Sequence, residues 1–439
     1  MLHVNAPDHP EAHANLRAAS DPDAAPVAAD GSIHPAHAAE KVAQARVELE
    51  AQGIDVWLTF VRRTDAGGDP VLPMILDRPL SFPSALIIPR AGIAAEPTAI
   101  VSHYQAATVR ETGAWPTIIS FVNGASDALR QALVDLEPQR IAINTSQRDP
   151  AADGLSHAMW QLLHEWLAGT GLGDRFVSSE DVIAAVRGRK TPREIAALRN
   201  AIDHTNAVWQ DAMDGIIPGL TERALGERFH RQSADRGLDV AWSANTCPSI
   251  TTGPEGPSAS EHPSDTARIE PGRVLHVDFG VRSGGFCSDL KRCWYVPSTT
   301  APTPPASVSR AFDAVRDSID AAMDALRPGA VLAAVDDAAR STLLAAGFPE
   351  YTHGTGHQIG RSVHDGGGII GPRWERYGDA VLQTAETGQV FTLELGVVHP
   401  EAGYVGLEEM VEVTADGCLA LSRRQTDLWI LGPPRERIC

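Results

Sequence analysis

Four carboxylates and one imidazole, Asp278, Asp289, His357, Glu394 and Glu408, stand in order in the last third or so of this chain. Each lies in an apolar or glycine-rich segment: His276-Val277-Asp278-Phe279-Gly280, Ser288-Asp289-Leu290, Gly354-Thr355-Gly356-His357, Leu393-Glu394-Leu395 and Gly406-Leu407-Glu408. An ionised carboxylate is costly to bury, and several buried together repel one another, so a fold that buries these segments must supply cations. Two divalent ions bridged by carboxylates meet that demand, and such a pair is a hydrolytic device.

The spacing adds geometry. The two aspartates flank Ser283-Gly284-Gly285, which reads as a hairpin closed by a tight glycine turn. With Ser283-Gly284 as the loop, Asp278 sits directly opposite Asp289, their Cβ atoms about 5 Å apart. A second hairpin runs from Val390 to Leu395, turns around His399-Pro400-Glu401-Ala402-Gly403 and returns from Tyr404 to Thr414. With its turn centred on Glu401, Glu394 opposes Glu408. One acidic pair reads as a solvated edge. Two pairs, with Gly354-Thr355-Gly356-His357 between them, read as a metal centre. Oxygen donors with one imidazole suit Mn, Co, Zn or Fe, and the absence of thiolate ligands disfavours a structural zinc site.

Bulk properties narrow the class. The 439 residues predict two domains. A net charge of -19, from 37 basic and 56 acidic residues, disfavours non-specific binding to nucleic acid or an anionic membrane. Five cysteines (Cys247, Cys287, Cys293, Cys418, Cys439) form no recognisable spacing and suggest a reducing compartment. No apolar run reaches about 18 residues, so no transmembrane helix is expected, and a cytoplasmic location follows by default. Residues 1–35, rich in Ala, Asp, Pro and His, lack an apolar signal core and read as a disordered tail. The histidines there and just beyond (His3, His9, His13, His34, His37) could bind metal weakly but read first as solvated.

Residues 36–186 read as an N-terminal α/β domain with a mixed sheet. A helix from His37 to Gln52 precedes strands at Ile54–Val61, Ser84–Pro89, Ala99–Val101 and Arg140–Asn144, and a further helix spans Gly154 to Ala168. The irregular stretch from Arg62 to Pro83 carries charge, and loops of that length are often functional. Residues 187–439 read as an α+β domain. Thr191 with Glu194 forms a capping box for a helix to about Gly215, and Thr221-Glu222 starts another ending near Gly237.

The segments His276–Gly280, Ser288-Asp289, Gly354–Gly360, Val390–Glu394 and Leu407–Glu409 together resemble the ligand segments of the pita-bread metallopeptidases. That family includes methionine aminopeptidases, Xaa-Pro aminopeptidases and prolidases. The resemblance runs from Arg187 to Thr414, and an N-terminal domain of about 150 residues points to the prolidase, Xaa-Pro aminopeptidase and creatinase branch. It implies a pita-bread catalytic domain behind a smaller creatinase-like one, two divalent metal ions with manganese first, and a homodimer. It implies hydrolysis of an amide bond in a small peptide, Xaa-Pro by default, through attack of a metal-bridged hydroxide. Asp278 would hold one ion, Asp289 and Glu408 would bridge, and His357 and Glu394 would complete the other, with Glu394 also the candidate general base. His353 and His364 would contact the substrate carbonyl or stabilise the tetrahedral intermediate. His262, displaced by one or two positions from the family's pattern, is a weaker candidate of the same kind. His276 reads as a packed strand histidine. Arg62 and Arg63 are candidates for an anionic substrate group, since the related N-terminal domains help wall the active site, sometimes across a dimer.

The chain also departs from the family. Glu-Pro-Gly is Glu394-Leu395-Gly396, the Arg two residues before the last Glu is Gly406, and a frequent Tyr four residues after Glu394 is Val398. These changes leave the ligands intact but alter their surroundings, as does the loop from Gly366-Gly367-Gly368 to Tyr377. The runner-up reading is therefore a hydrolase of a non-peptide amide or C–N bond in a small metabolite. A non-catalytic binding protein on the same fold is disfavoured by the complete ligand set.

Overall fold

The computed structural model describes residues 36–63, 68–253 and 262–432. The expected tail, with His3, His9, His13 and His34, lies outside the described residues, as does Cys439.

Helix α1 (Ala36–Ala51) leads into a sheet built from β1 (Val56–Val61), β2 (Ser84–Pro89), β3 (Thr98–Ser102), β4 (Thr117–Phe121), β5 (Ile141–Ile143) and β6 (Phe176–Ser178). Its order is β4-β3-β2-β1-β5-β6. Strands β1, β2 and β3 pair antiparallel, whereas β3–β4, β1–β5 and β5–β6 are parallel, so the sheet is mixed as the alternation predicts. Helices α2 (Leu72–Ile75), α3 (Ala106–Glu111), α4 (Ser126–Leu136), α5 (His157–Trp166) and α6 (Glu180–Gly188) connect the strands. Strands β1 and β2 are buried along their whole length, which explains their unbroken apolar runs. Separate apolar clusters cover the two faces: Trp57 and Leu86 belong to one, Leu58 and Ile87 to the other.

The remaining residues form α7 (Pro192–Ala212), α8 (Glu222–Ala234), β7 (Asp239–Val240), β8 (Ser249–Thr251), β9 (Val274–Phe279), β10 (Val281–Ser283), β11 (Phe286–Cys287) and β12 (Leu290–Tyr295). Then come α9 (Ala306–Ala325), α10 (Leu332–Ala345), β13 (Gly356–His357), β14 (Ile369–Ile370), β15 (Val390–His399), β16 (Gly403–Val413), β17 (Cys418–Ala420) and β18 (Trp429–Ile430). Strand periodicity divides this half into two cores with a polar face between them. Leu275, Val277 and Phe279 of β9 pack in one core with Leu198 and Val208 of α7 and Phe229 of α8. Leu393, Leu395, Val405 and Leu407 of the β15–β16 hairpin pack in the other with Phe312 of α9 and Leu343 of α10. The alternate residues His276, Asp278, Glu394 and Glu408 are left for the face between.

The second hairpin has the expected register, with Glu394 directly opposite Glu408. The first differs. Gly284 and Gly285 both adopt positive φ, +56° and +78°, and they make the turn. Ser283 therefore pairs with Phe286, and Asp278 pairs with Lys291 rather than with Asp289. A loop of Ser283-Gly284 would ask a serine for the left-handed backbone that two-residue hairpins need, and Gly-Gly supplies it without strain. The correction moves each partner by two positions, so face parity survives and Asp289 lies diagonally across from Asp278 on the same side.

Buried charges tie the two halves together. The capping box of α7 forms as expected, with Thr191 and Glu194 bonded reciprocally. Glu194 also meets Lys41 Nζ at 2.9 Å and His37 Nε2 at 3.0 Å, both from α1. His37 is thus a buried docking residue, not part of a solvated tail. Asp365 takes Arg187 Nη1 at 3.1 Å and Lys190 Nζ at 2.8 Å, fixing the end of α6 to the loop after His364.

Burial alone pushes the Glu194 carboxyl up, but Lys41 and His37 overcome it and hold the group well below the ordinary value of 4.5. Its contribution is therefore present above that value and lost as pH falls below it. Glu194→Ala leaves Lys41 buried without its countercharge, and we expect a loss of about 3–5 kcal/mol in denaturant unfolding. Thr191→Ala, which removes only a cap, should cost about 1 kcal/mol. Equal losses for the two variants would show that the ion pair is not what joins α1 to α7.

Candidate metal centre

The five ligand candidates converge, each placed by a different backbone device. Asp278 is aimed by β9, Asp289 by the break between β11 and β12, and Glu394 and Glu408 by their opposed positions in the β15–β16 ladder. His357 comes from β13, which lies along β15: the Glu394 amide donates to the Thr355 carbonyl at 2.6 Å, and the His357 amide donates to Thr392 Oγ1 at 3.2 Å. The loop before it is held from α10. Arg340 donates from Nη1 to the Tyr351 carbonyl at 2.7 Å and from Nη2 to the His353 carbonyl at 2.9 Å, while Nε and Nη2 also grip Asp336. Asp336 in turn accepts from Thr355 Oγ1 at 2.6 Å.

One ligand atom each from Asp289, His357 and Glu408 lie within 4.8 Å of one another. His357 Nε2 stands 3.7 Å from Asp289 Oδ2 and 3.6 Å from Glu394 Oε1, too far for hydrogen bonds and suited to donors around a common ion. Its Nδ1 donates to the Gln358 carbonyl at 3.2 Å, which leaves Nε2 free to coordinate an ion. Buried oxygens of Asp278, Asp289 and Glu408 have no hydrogen-bond partner among the described residues. Orphaned buried anions are what an oxygen-seeking cation satisfies, so these residues fit a divalent ion.

The electrostatics agree. Burial and the neighbouring carboxylates of Glu408 and Asp278 push Asp289 far up, and Glu408 is raised likewise by burial and by Glu394 and Asp278. Burial lowers His357 to about 4, so its imidazole is neutral and able to coordinate near neutral pH. Lys291, which sequence reading passed over, reaches into the same cluster. Its Nζ lies 3.5 Å from Asp278 Oδ2 and 3.2 Å from Glu408 Oε2, and it forms a hydrogen-bonded ion pair with Glu394. Burial opposes its charge, but the four carboxylates overcome that and hold it protonated. The signal was present: Lys291 is two residues beyond Asp289 on a strand, hence on the same face.

A cavity of about 530 Å³ opens over the cluster, its wall including Asp278, Lys291, His353, His357, His364 and Glu394. The His364 ring lies 4.3 Å from that of His357. His353 Nδ1 donates to the Gly354 carbonyl at 2.7 Å. Tyr404 and Tyr377 also line the cavity. Tyr404 was invisible in the sequence because its place depends on a cross-strand pair, Gly396 opposite Gly406. A Cβ on Gly396 would stand 2.3 Å from the Tyr404 hydroxyl, and one on Gly406 2.5 Å from its ring. The ring meets His276 edge-on at 4.8 Å, and His276 is buried as expected of a packed strand histidine. His262 is not brought to the cavity: it is exposed and its Nδ1 contacts the Asn245 carbonyl at 2.9 Å. Arg62 and Arg63 are exposed at the end of β1 and are not on this cavity's wall.

A mixed N-terminal sheet joined to two hairpins that bury a carboxylate–histidine cluster defines a metal-dependent hydrolase. The model of metallopeptidase family M24 matches residues 196–415, half of the chain, and the chain belongs to that family. It is similar to a putative dipeptidase of Bacillus subtilis, 29% identical over 297 residues that cover 67% of this chain and 76% of that protein. It is 27% identical to the Xaa-Pro dipeptidase of Lactobacillus delbrueckii subsp. lactis, over 65% of this chain and 72% of that one. The crystal structure of dipeptidase PepE from Mycobacterium ulcerans superposes with a TM-score of 0.68 at 25% identity, covering 91% of this chain and 100% of that one. The fold is therefore the pita-bread α+β fold behind a smaller N-terminal domain. No helix among the described residues is long and apolar enough to cross a membrane.

Metal must displace the protons that Asp289 and Glu408 hold, because their folded values are raised. Affinity should therefore rise as pH increases through the range where these groups retain protons. Calorimetric titration with Mn²⁺ in buffers of different ionisation heat should report proton release, larger at pH 6 than at pH 8. Binding with no proton release at either pH would contradict this electrostatic picture.

Proposed function

We propose that this chain is a dipeptidase that hydrolyses the peptide bond of short peptides, Xaa-Pro dipeptides among them. Residues 187–439 would form the catalytic domain and 36–186 its N-terminal companion. The observation that carries the reading is the convergence of Asp289, His357 and Glu408 beneath a cavity walled by His353 and His364. The cavity's size suits two residues of peptide rather than a folded substrate. The names of the similar proteins, dipeptidases of several bacteria, point the same way.

In this reading Asp278, Asp289, His357, Glu394 and Glu408 are the metal ligands, and manganese suits a set of carboxylates with one imidazole. A divalent ion held there would supply a nucleophilic water near neutral pH and polarisation of the carbonyl. The protein's own groups do the rest. Glu394, held in its ionised form chiefly by the Lys291 ammonium against the effect of burial, is the base that receives the water's proton. His364 and His353 reach the carbonyl oxygen from the cavity wall and stabilise the charge that develops on it. Arg62 and Arg63 would act only across a homodimer, because within one chain they lie off the wall.

Mass spectrometry of peptide panels with Mn-, Co- and Zn-loaded protein tests the proposal. Free amino acids should appear from dipeptides and from no longer peptide. Asp289→Ala should lower the rate at least about 100-fold, since even outer partners of metal ligands are worth 10–100-fold. Release of N-terminal residues from longer peptides would instead make the protein an aminopeptidase. A second reading, hydrolysis of a non-peptide amide, draws on Tyr404 lying across Gly396 and Gly406, which gives the cavity a wall the family's usual residues would not. Cleavage of small amide metabolites with all peptides left intact would replace the dipeptidase reading with that one.

A further inference from the structure

The cation that most closely answers the carboxylate cluster belongs to the chain itself. Lys291 is directed there by register rather than by chance reach: it is the ladder partner of Asp278 and stands two residues from Asp289 on the same face. Its side chain is only 14% exposed, and its ammonium contacts Asp278, Glu394 and Glu408, three of the four carboxylates. The fourth, Asp289, pairs instead with His357 and Glu408 in the one three-donor cluster found among the described residues. The five donors thus fall into two groups, joined by Glu408 and by the approach of Glu394 Oε1 to His357 Nε2 at 3.6 Å. One surrounds a point suited to a metal ion, and the other surrounds Lys291 Nζ.

We propose that Lys291 is the built-in second cation of this centre. The chain holds one divalent ion, at Asp289, His357 and Glu408, and the Lys291 ammonium stands where a second ion would otherwise balance Asp278 and Glu394. The inference rests on the reading of the site as a metal centre and changes its stoichiometry.

Charge supports it. Four carboxylates carry four negative charges. One divalent ion with one ammonium balances three of them, whereas two ions with the same ammonium exceed all four by one before any bridging hydroxide is counted. They would also press the ammonium against a dication in a site with little water to screen them. An ammonium donates three hydrogen bonds but accepts none, so it can orient Asp278 and Glu394 without competing with them for the metal. The excess negative charge lies on the cavity side, where Asp278 and Glu394 line the wall, and it favours the α-ammonium group of an unblocked peptide.

Metal content decides the matter without reference to activity. Protein stripped with chelator, reloaded with Mn²⁺ and desalted should contain one manganese per chain by plasma mass spectrometry. Its electron paramagnetic resonance spectrum should be that of isolated Mn²⁺ ions. Lys291→Ala and the more space-filling Lys291→Met, each verified as folded by circular dichroism, should both take up two manganese ions, whose spin coupling broadens that spectrum. Two manganese ions per wild-type chain would overturn the proposal and leave the metallohydrolase reading intact. One ion in wild type and still one in both folded variants would also overturn it, because Lys291 would then not be holding a second ion's place. No manganese in any form would overturn the metal reading itself.

Discussion

Mutual repulsion among buried carboxylates is the constraint on which the C-terminal half of this protein depends. Asp278, Asp289, Glu394 and Glu408 are drawn together between two apolar cores, and oxygens of three of them have no hydrogen-bond partner among the described residues. No arrangement of apolar side chains relieves that. The fold answers it with a lysine from within the same hairpin and with a donor cluster shaped for a divalent ion, and each answer leaves its mark on the surrounding backbone.

The supporting structure is correspondingly rigid. His357 is fixed along a strand edge, and the loop leading to it is held by an arginine–aspartate pair on α10 that stacks on Tyr351, with the guanidinium 3.9 Å from the ring centre. The N-terminal domain docks through a buried glutamate that serves at once as helix cap and ion-pair partner. Catalytic geometry needs such support because misplacement by about 1 Å costs orders of magnitude in rate. The cavity is meanwhile given its own character by a tyrosine lying over an opposed pair of glycines.

Much of this was legible in the chain. Helix α1, strands β1, β2, β3 and β5 and helix α5 followed from apolar patterning bounded by glycine and proline, whereas β4 and β6, which are only partly buried, did not; the capping box at Thr191 followed from four adjacent residues. The Glu394–Glu408 pairing followed from the placing of the turn around Glu401. The first hairpin was misjudged by one turn position, because Ser283-Gly284 and Gly284-Gly285 are both plausible loops until backbone twist selects the one with two positive-φ residues. The error did not move either aspartate to the other face, since strand parity repeats every two residues.

The sequence by itself determined which donors enter the centre and on which faces they lie, because periodicity and turn chemistry act over a few residues. Only the tertiary structure decided what stands between those donors. That Lys291 faces three carboxylates, that Tyr404 crosses Gly396 and Gly406, and that His262, Arg62 and Arg63 stay off the cavity wall are relations between strands and domains far apart in the chain. They are set by how two hairpins and a docking helix pack against shared cores, and no local pattern encodes that distance.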